Sequence, residues 1–275
     1  MVVFPNSKIN LGLRIVSKRE DGYHDLDTVF YPLPFYDALE VIRKGSENEA
    51  SNEEISFNIT GLPIEETTDN LCLRAYQILK SDFSNLPPVN MHLHKAIPIG
   101  AGLGGGSADA AFSLTLLNNK FQLGLTTEQL LRYALKLGSD CPFFIINKPC
   151  YATGRGEILQ PVNLDLTSYK FILINPGIHI STGKAFSGIV PAIPARSTLE
   201  IISQPVHTWK DDLVNDFEKT IFPAFPEIEK IKNSLYGNGA LYASMSGTGS
   251  SVYGIFEKNR RLNIEIPSHY FYKEI

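Results

Sequence analysis

The chain is poor in cysteine, has no long hydrophobic run and carries no strong excess of charge of either sign. Its three cysteines, Cys72, Cys141 and Cys150, are odd in number and show no C-x-x-C spacing, which argues against both a disulfide framework and a structural zinc site. The expected compartment is therefore reducing, the cytoplasm. No stretch approaches the roughly 18 consecutive apolar residues of a membrane span, so no membrane partner is expected. A net charge of −4 leaves no electrostatic footprint for a nucleic-acid backbone, and nucleic acid is not an expected partner. An anionic ligand must instead be held by a local cluster. The opening residues MVVFPNSKIN lack the apolar core of a signal peptide, so none is expected. There is no internal repeat and no low-complexity tract.

What is present suits a globular protein with a sizeable core: 43% hydrophobic against 20% charged residues. A length of 275 residues allows one large domain or two modest ones; two lobes are expected, residues 1–150 and 151–275, with the break near 150. From Ser7 to Val16 the apolar residues Ile9, Leu11, Leu13 and Ile15 alternate, which predicts a half-buried strand with Lys8 and Asn10 on its other face. Asp21-Gly22 signals a tight turn before β-prone Leu26 to Phe30, hence a hairpin. The polar stretch from Gly45 to Glu54 reads as an exposed connection. A helix is expected after Asp69 and Asn70, a strand over Val89, Met91, Leu93 and Ile97 that ends at Pro98, a helix from Ser107, and another over Thr127 to Leu137 that Gly138 stops. That last boundary leaves Asp140 on a junction. Strands are expected near 170–175 and 251–256, helices near 212–219 and 226–235, and an exposed Pro-rich loop over 190–196.

The strongest single signal runs from Pro98 to Ala111, PIGAGLGGGSADAA, where a strand passes through five glycines in seven residues directly into a helix. Glycine lets backbone N–H groups approach an anion closely, and a helix N-terminus adds about half a positive charge, so the pattern suits phosphate. Gly100, Gly102 and Gly105 formally satisfy the dinucleotide pattern G-x-G-x-x-G. A dinucleotide fold would also want an acidic residue about 20 positions later at a strand end, where this chain reads as helix. The P-loop pattern fails too, since no Gly-Lys-Ser/Thr follows. His92 and His94 lie two apart on one strand and could share a face, but no third metal ligand is evident. On spacing alone Asp140 reads as a loop or capping residue and Lys8 as a solvated strand lysine.

The glycine segment with its alanine-rich helix resembles the second signature motif of the galacto/homoserine/mevalonate/phosphomevalonate kinase superfamily. Two further stretches resemble its other signatures: Pro5 to Leu13 with Arg19 to His24 near the N-terminus, and Met245 to Ser251 near the C-terminus. The Asp21-Gly22-Tyr23-His24 element resembles the branch acting on a diphosphocytidyl sugar alcohol in particular. The resemblance implies a two-lobed α+β kinase, with an N-terminal lobe like domain 2 of ribosomal protein S5, which binds ATP, and a ferredoxin-like C-terminal lobe on the substrate side. It implies transfer of the ATP γ-phosphoryl group, with Mg²⁺, to the 2-hydroxyl of 4-diphosphocytidyl-2-C-methyl-D-erythritol in non-mevalonate isoprenoid synthesis.

The same resemblance assigns roles residue by residue. Asp140 matches the catalytic aspartate and Lys8 its partner lysine. Asp69, Asn70, Leu71 and Lys95 fall where the family lines its adenosine pocket, and Pro98, Gly100, Gly102, Gly104, Gly105, Gly106 and Ser107 where it cradles phosphate. Tyr23 and His24 match residues that hold the cytosine ring, with Phe186 as the opposing aromatic and Thr182 and Asn10 as polar contacts. Gly247 and Thr248 fall in a substrate- or phosphate-proximal loop. Ser7 stands where many members have alanine, and Asp109 where several have asparagine or another small polar residue. Metal ligands are not identified, and the oligomeric state, monomer or homodimer, is left open.

Overall fold

The computed structural model describes residues 1–45, 54–63 and 70–275; most of the polar stretch between Gly45 and Glu54, and Asp69, lie outside the described residues. From the N-terminus the chain forms β1 (Val2–Val3), β2 (Asn6–Lys18), β3 (His24–Tyr36), β4 (Ala38–Arg43), β5 (Ile55–Gly61), α1 (Leu71–Asp82), β6 (Val89–Lys95), α2 (Gly105–Phe121), α3 (Thr127–Leu137) and α4 (Cys141–Ile146). It continues with β7 (Cys150–Thr153), β8 (Ile158–Pro161), β9 (Tyr169–Asn175), α5 (Thr182–Phe186), α6 (Thr198–Ile202), α7 (Glu218–Ala224), α8 (Pro226–Gly237), β10 (Tyr242–Met245), β11 (Val252–Glu257) and β12 (Phe271–Glu274).

These elements gather into two compact units that interleave along the sequence. The first holds Met1–Ser7, Pro34–Ile99 and Gly105–Asn147; the second holds Lys8–Leu33, Gly100–Gly104 and Lys148–Ile275. A break near residue 150 is thus the last of several crossings. Strand pairing is the reason: most of β2 and β3 clusters with the C-terminal part because their sheet runs β2-β3-β7-β8. Each unit mixes helices with sheet, as an α+β fold requires.

In the first unit the sheet order is β1-β4-β6-β5, with β5 and β6 parallel and the other pairs antiparallel. Leu39 pairs with Leu93 and Val41 with Met91, so alternation puts all four on one buried face. That face meets Tyr76 and Leu79 of α1, Leu114 and Leu117 of α2, and Leu130 and Ala134 of α3. Asn70 caps α1 by accepting from Cys72 N at 2.8 Å. At α3, Thr126 and Gln129 form a reciprocal capping box, and the N–H of Gly138 closes the helix on Ala134 O. The expected bounds of α3 hold, whereas β6 ends at Lys95 and stops short of Ile97 and Pro98, where Ala96 N and Ile97 N turn to the Asp37 carboxylate.

The second unit has, besides the β2-β3-β7-β8 sheet, an antiparallel sheet of order β10-β11-β9-β12. Ile172 and Ile174 of β9, Met245 of β10 and Val252 and Phe256 of β11 pack with Leu13 and Ile15 of β2 and with Ile228, Ile231 and Leu235 of α8. The hairpin between β2 and β3 closes where Asp21-Gly22 predicts it: Gly22 N donates to Arg19 O, and Gly22 has φ 85°. The Pro-rich loop is exposed as expected, with Val190 and Ile193 at 87% and 84%.

Three local readings change. Strand β2 is buried on both faces, because Lys8 and Asn10 are as buried as Ile9 and Leu11. Their polar atoms are satisfied inside the protein, so alternation does not mark a wet face. The helix expected over 212–219 is not there: α7 begins only at Glu218, and 212–217 is held extended or turned by β2. Leu13 N donates to Val214 O, Asp216 N to Leu13 O, and Ile15 N to the Asp216 carboxylate. Side-chain competition by Asn and Asp for backbone partners outweighs local helix propensity here. Finally, α2 starts at Gly105 rather than Ser107, and α4 was not anticipated.

Asn215 fastens this turn to the third motif. Its amide donates to Met245 O and Gly247 O, each at 2.8 Å, and accepts from Phe217 N at 3.0 Å, all within the buried interior. Asn215→Leu leaves two carbonyls and an N–H buried without that partner, and is expected to lower the unfolding free energy by about 3 kcal/mol. Urea denaturation measures it; a loss under about 1 kcal/mol would mean that the orphaned groups find other partners.

Candidate active site

The glycine-rich turn is stitched to both of the other sequence motifs by backbone contacts within the second unit. Lys8 N donates to Leu103 O at 2.9 Å, and Ser251 N to Ala101 O at 3.2 Å. The Ser246 hydroxyl donates to Gly102 O at 2.8 Å and accepts from Asn10 N at 3.3 Å. A Cβ on Gly102 would stand 1.9 Å from Ser246 O, at a φ of 78°, so only glycine fits. Three stretches some hundred residues apart in sequence therefore share one backbone network.

On β2 the Lys8 ammonium donates to Asn10 Oδ1 at 2.5 Å and lies over the Phe30 ring at 4.9 Å. The Asn10 amide in turn donates to the Thr28 hydroxyl at 3.0 Å, and that hydroxyl donates to Gly12 O at 2.5 Å. The chain of donors fixes the Asn10 flip and aims its oxygen at Lys8. Asn10, expected as a polar contact to the acceptor, here orients Lys8.

At the hairpin, His24 stacks on Phe186 with ring centroids 4.6 Å apart and planes at 18°. Phe217 meets Phe186 edge-on at 4.8 Å. Tyr23 is 52% exposed and carries the Arg155 guanidinium 4.5 Å from its ring centre. Burial, with Lys18 nearby, depresses the His24 imidazole below its ordinary value, which favours a neutral ring. The ring stacked on Phe186 is His24, not Tyr23, and Arg155 had no signal in the sequence. Thr182 opens the short helix α5 on the exposed side, after its capping residue Ser181. Gly247 packs its Cα face against Gly102, while Thr248 beside it is half-buried.

In the first unit, Gly105, Gly106 and Ser107 form the first turn of α2, whose N–H groups have no partner within the helix. Gly106 is exposed, has no left-handed backbone requirement, and a Cβ there would meet nothing within 4 Å. Asp140 immediately precedes α4, half-buried, and its carboxylate does not cap that helix. Burial pushes the neighbouring Cys141 thiol up to about 12, so it is not a nucleophile. Asn70 and Leu71 stand at the start of α1, where the Asn70 side chain is engaged as a cap.

Lys95 departs most from its expected surroundings. It is 2% exposed, and its ammonium is gripped by the Asp37 carboxylate and by Asp109 Oδ2, the latter at 2.7 Å. Asp37 Oδ1 also accepts from Ala96 N at 2.7 Å and Ile97 N at 2.9 Å. Asp109 Oδ1 is buried without a hydrogen-bond partner. Among the described residues no three His, Cys, Asp or Glu side chains converge to hold a metal ion. His92 and His94 both face the Thr60 hydroxyl, at 2.9 and 3.0 Å.

Two buried carboxylates around one ammonium cannot both ionise cheaply. Burial raises the Asp109 carboxyl to about 7; Lys95 opposes the rise and Asp37 adds to it. The folded state then holds a proton that the unfolded chain releases above its ordinary value near 4, so stability falls as pH climbs from about 4 through about 7. Asp109→Asn removes this titration. Its melting temperature relative to the parent is expected to rise between pH 5 and pH 8 in paired thermal melts; a constant difference would show that Asp109 is ionised throughout.

Comparisons with known proteins identify the relatives of the chain. Residues 70–148 match the family model of the GHMP kinases N terminal domain, and residues 197–265 that of the GHMP kinases C terminal domain. The 4-diphosphocytidyl-2-C-methyl-D-erythritol kinase of Bacteroides fragilis is 52% identical, over 95% of this chain and 94% of that protein. The enzyme of that name from Porphyromonas gingivalis is 43% identical, over 96% and 94%. A crystal structure of 4-(cytidine 5'-diphospho)-2C-methyl-D-erythritol kinase superposes with a TM-score of 0.79 at 30% identity, covering 93% of this chain and 90% of that one. The mevalonate kinase of Methanococcus jannaschii, at 12% identity and a TM-score of 0.67, shares the fold. With one motif network, two matched domains and relatives aligned along nearly its whole length, the chain belongs to the GHMP kinase family, among those relatives.

Proposed function

We propose that the chain transfers the γ-phosphoryl group of ATP to the 2-hydroxyl of 4-diphosphocytidyl-2-C-methyl-D-erythritol, a step of non-mevalonate isoprenoid precursor synthesis. The observation that carries this reading is the backbone network joining Lys8, the glycine turn and Ser246 to Ser251, which gathers three of the family's motifs at one place. The relatives of matching name supply the acceptor. The compartment proposed is the cytoplasm, consistent with three buried free cysteines; among the described residues no helix is long and apolar enough to cross a membrane.

Phosphoryl transfer asks a protein mainly for positioning and charge stabilisation. The amides of Gly105, Gly106 and Ser107 at the head of α2, with Gly100, Gly102 and Gly104 before them, hold the triphosphate. The aliphatic and polar residues at the start of α1, Asn70 and Leu71, line the adenosine side. Mg²⁺ arrives on the phosphate oxygens as part of the nucleotide substrate. Asp140 accepts the proton of the attacking hydroxyl, and the Lys8 ammonium, aimed by Asn10, favours the alkoxide that forms. Tyr23, His24 and Phe186 hold the cytosine by ring contact and edge hydrogen bonds, with Thr182, Gly247 and Thr248 nearby.

The deciding assay measures ADP release with the cytidine-diphosphate acceptor, with mevalonate and with homoserine. Turnover confined to the first supports the reading, and turnover with either of the others alone would replace it. Asp140→Asn is expected to lower kcat by about 10²- to 10⁴-fold with little change in either KM. An unaltered kcat would remove Asp140 from the chemistry. Tyr23→Ala is expected to raise the acceptor KM and spare the ATP KM; the opposite pattern would place Tyr23 on the nucleotide side. Gly106→Ala is expected to raise stability by up to about 1 kcal/mol as a helix glycine is replaced. The same Cβ should weaken ATP binding, because it enters the space assigned to phosphate, and calorimetric titration with nucleotide reads this directly.

A further inference from the structure

The glycine segment is soft in itself. Gly100, Gly102 and Gly104 all have positive φ, and five of its seven residues lack a side chain that could restrict them. Its middle is held by the bonds of Ala101, Gly102 and Leu103 to Ser251, Ser246 and Lys8, and its two ends need a support of their own. One end is the close of β6 at Lys95 to Ile97, and the other is the first turn of α2 at Gly105. Both ends rest on the same buried ammonium.

The geometry is specific. Asp37 leaves the β3–β4 junction and receives the N–H groups of Ala96 and Ile97, so it caps the end of β6, while its other oxygen takes the Lys95 ammonium. Asp109 lies four residues into α2, on the same face as Gly105, and takes the second Lys95 hydrogen bond at 2.7 Å. A Cβ on Gly105 would come within 3.2 Å of Lys95 Nζ and 3.0 Å of Ile97 Cγ2, so the helix head sits directly upon the lysine and the strand end. Asp37, Lys95 and Asp109 are each no more than 3% exposed.

A stability argument does not account for this cluster. A buried pair of charges rarely beats a well-packed apolar pair, and here a second carboxylate adds desolvation cost and leaves one oxygen without a partner. What the cluster supplies is direction: two carboxylates from different elements fix one ammonium, and a strand end and a helix head are locked in one arrangement. We infer that Lys95, clamped between Asp37 and Asp109, is a positioning residue for phosphoryl transfer, holding the two ends of the glycine segment so that its amides and those of the α2 head fit the ATP phosphates. This rests on the reading of that segment as the phosphate cradle. It takes Lys95 from the adenosine pocket, and adds Asp37 and Asp109 to the working parts of the enzyme without contact to substrate.

The test separates the tie from the fold. Asp109→Ala removes the α2 half of the clamp but leaves Lys95 paired with Asp37, and Asp109→Asn restores a neutral acceptor for Lys95 at the same reach. In steady-state assays Asp109→Ala is expected to raise the ATP KM at least about tenfold while the acceptor KM stays within about twofold, a misplacement effect. Asp109→Asn is expected to bring the ATP KM back to within about twofold of the parent. Thermal melts of both establish that folded protein is compared. Should the alanine variant not fold, Asp109→Ser, whose shorter hydroxyl bonds its own helix backbone, takes its place with the same expectation. The inference fails if the ATP KM of the truncated variant is unchanged, if both KM values rise together, or if the asparagine variant is as impaired as alanine.

Gly106→Ala run alongside distinguishes the two levels. If it weakens ATP binding and Asp109→Ala does not, the cradle stands and the clamp falls; if it leaves ATP binding untouched, the cradle falls and takes the clamp with it.

Discussion

The carbonyl oxygen of Ser246 occupies the space that any side chain at position 102 would need, 1.9 Å from where its first carbon would stand. This contact dictates a glycine, and it also dictates how the strand-to-helix turn meets the rest of the second unit. With Gly102 pressed against Ser246, Leu103 is brought to bond Lys8 N and Ala101 to bond Ser251 N. Lys8 is then delivered to the edge of the turn by backbone geometry, before its side chain makes any contact. The orientation of the side chain comes from a second, polar chain of hydrogen bonds, in which Lys8 donates to Asn10, Asn10 to Thr28 and Thr28 to Gly12 O. Backbone packing sets where the ammonium is rooted, and buried hydrogen bonds set where it points.

The sequence was most legible where a local rule governs. Alternation located β2 and β6, a capping threonine and a stopping glycine bounded α3, and Asp21-Gly22 placed the hairpin. Each depends on neighbours within a few residues. It was least legible where a distant partner decides. Helical spacing over 212–219 was real, yet β2 takes the backbone of 213–216 for its own pairing, and Asn215 and Asp216 prefer strand and loop carbonyls or amides to a helix. Likewise the polar face of β2 is dry because Thr28 and Asn10 satisfy one another, which no periodicity reveals.

The candidate site divides in the same way. Glycines that must be glycine, and the residues around them, announce themselves through motif density. Asp37 does not: a single aspartate before a strand looks like any turn residue, and only its three donors from the end of β6 expose its role. Arg155 is similarly silent, being one charge in a Gly-rich turn whose target ring lies over a hundred residues away. Asp109 stood out only as a departure from the asparagine or small polar residue that several members of the resembled family carry there. In the structure its Oδ2 accepts from the Lys95 ammonium.

Lys8 and Lys95 show why residue type underdetermines role. Both are buried lysines on strands leading toward the glycine turn, with exposures of 3% and 2%. Lys95 is met by two carboxylates, so its charge is neutralised where it stands and is of no use to an anion elsewhere. The Lys8 ammonium donates to the Asn10 amide oxygen and lies over the Phe30 ring, so residues of its own sheet help to set where it points. The positioning part inferred for Lys95 follows from what surrounds its ammonium, two buried carboxylates from different elements.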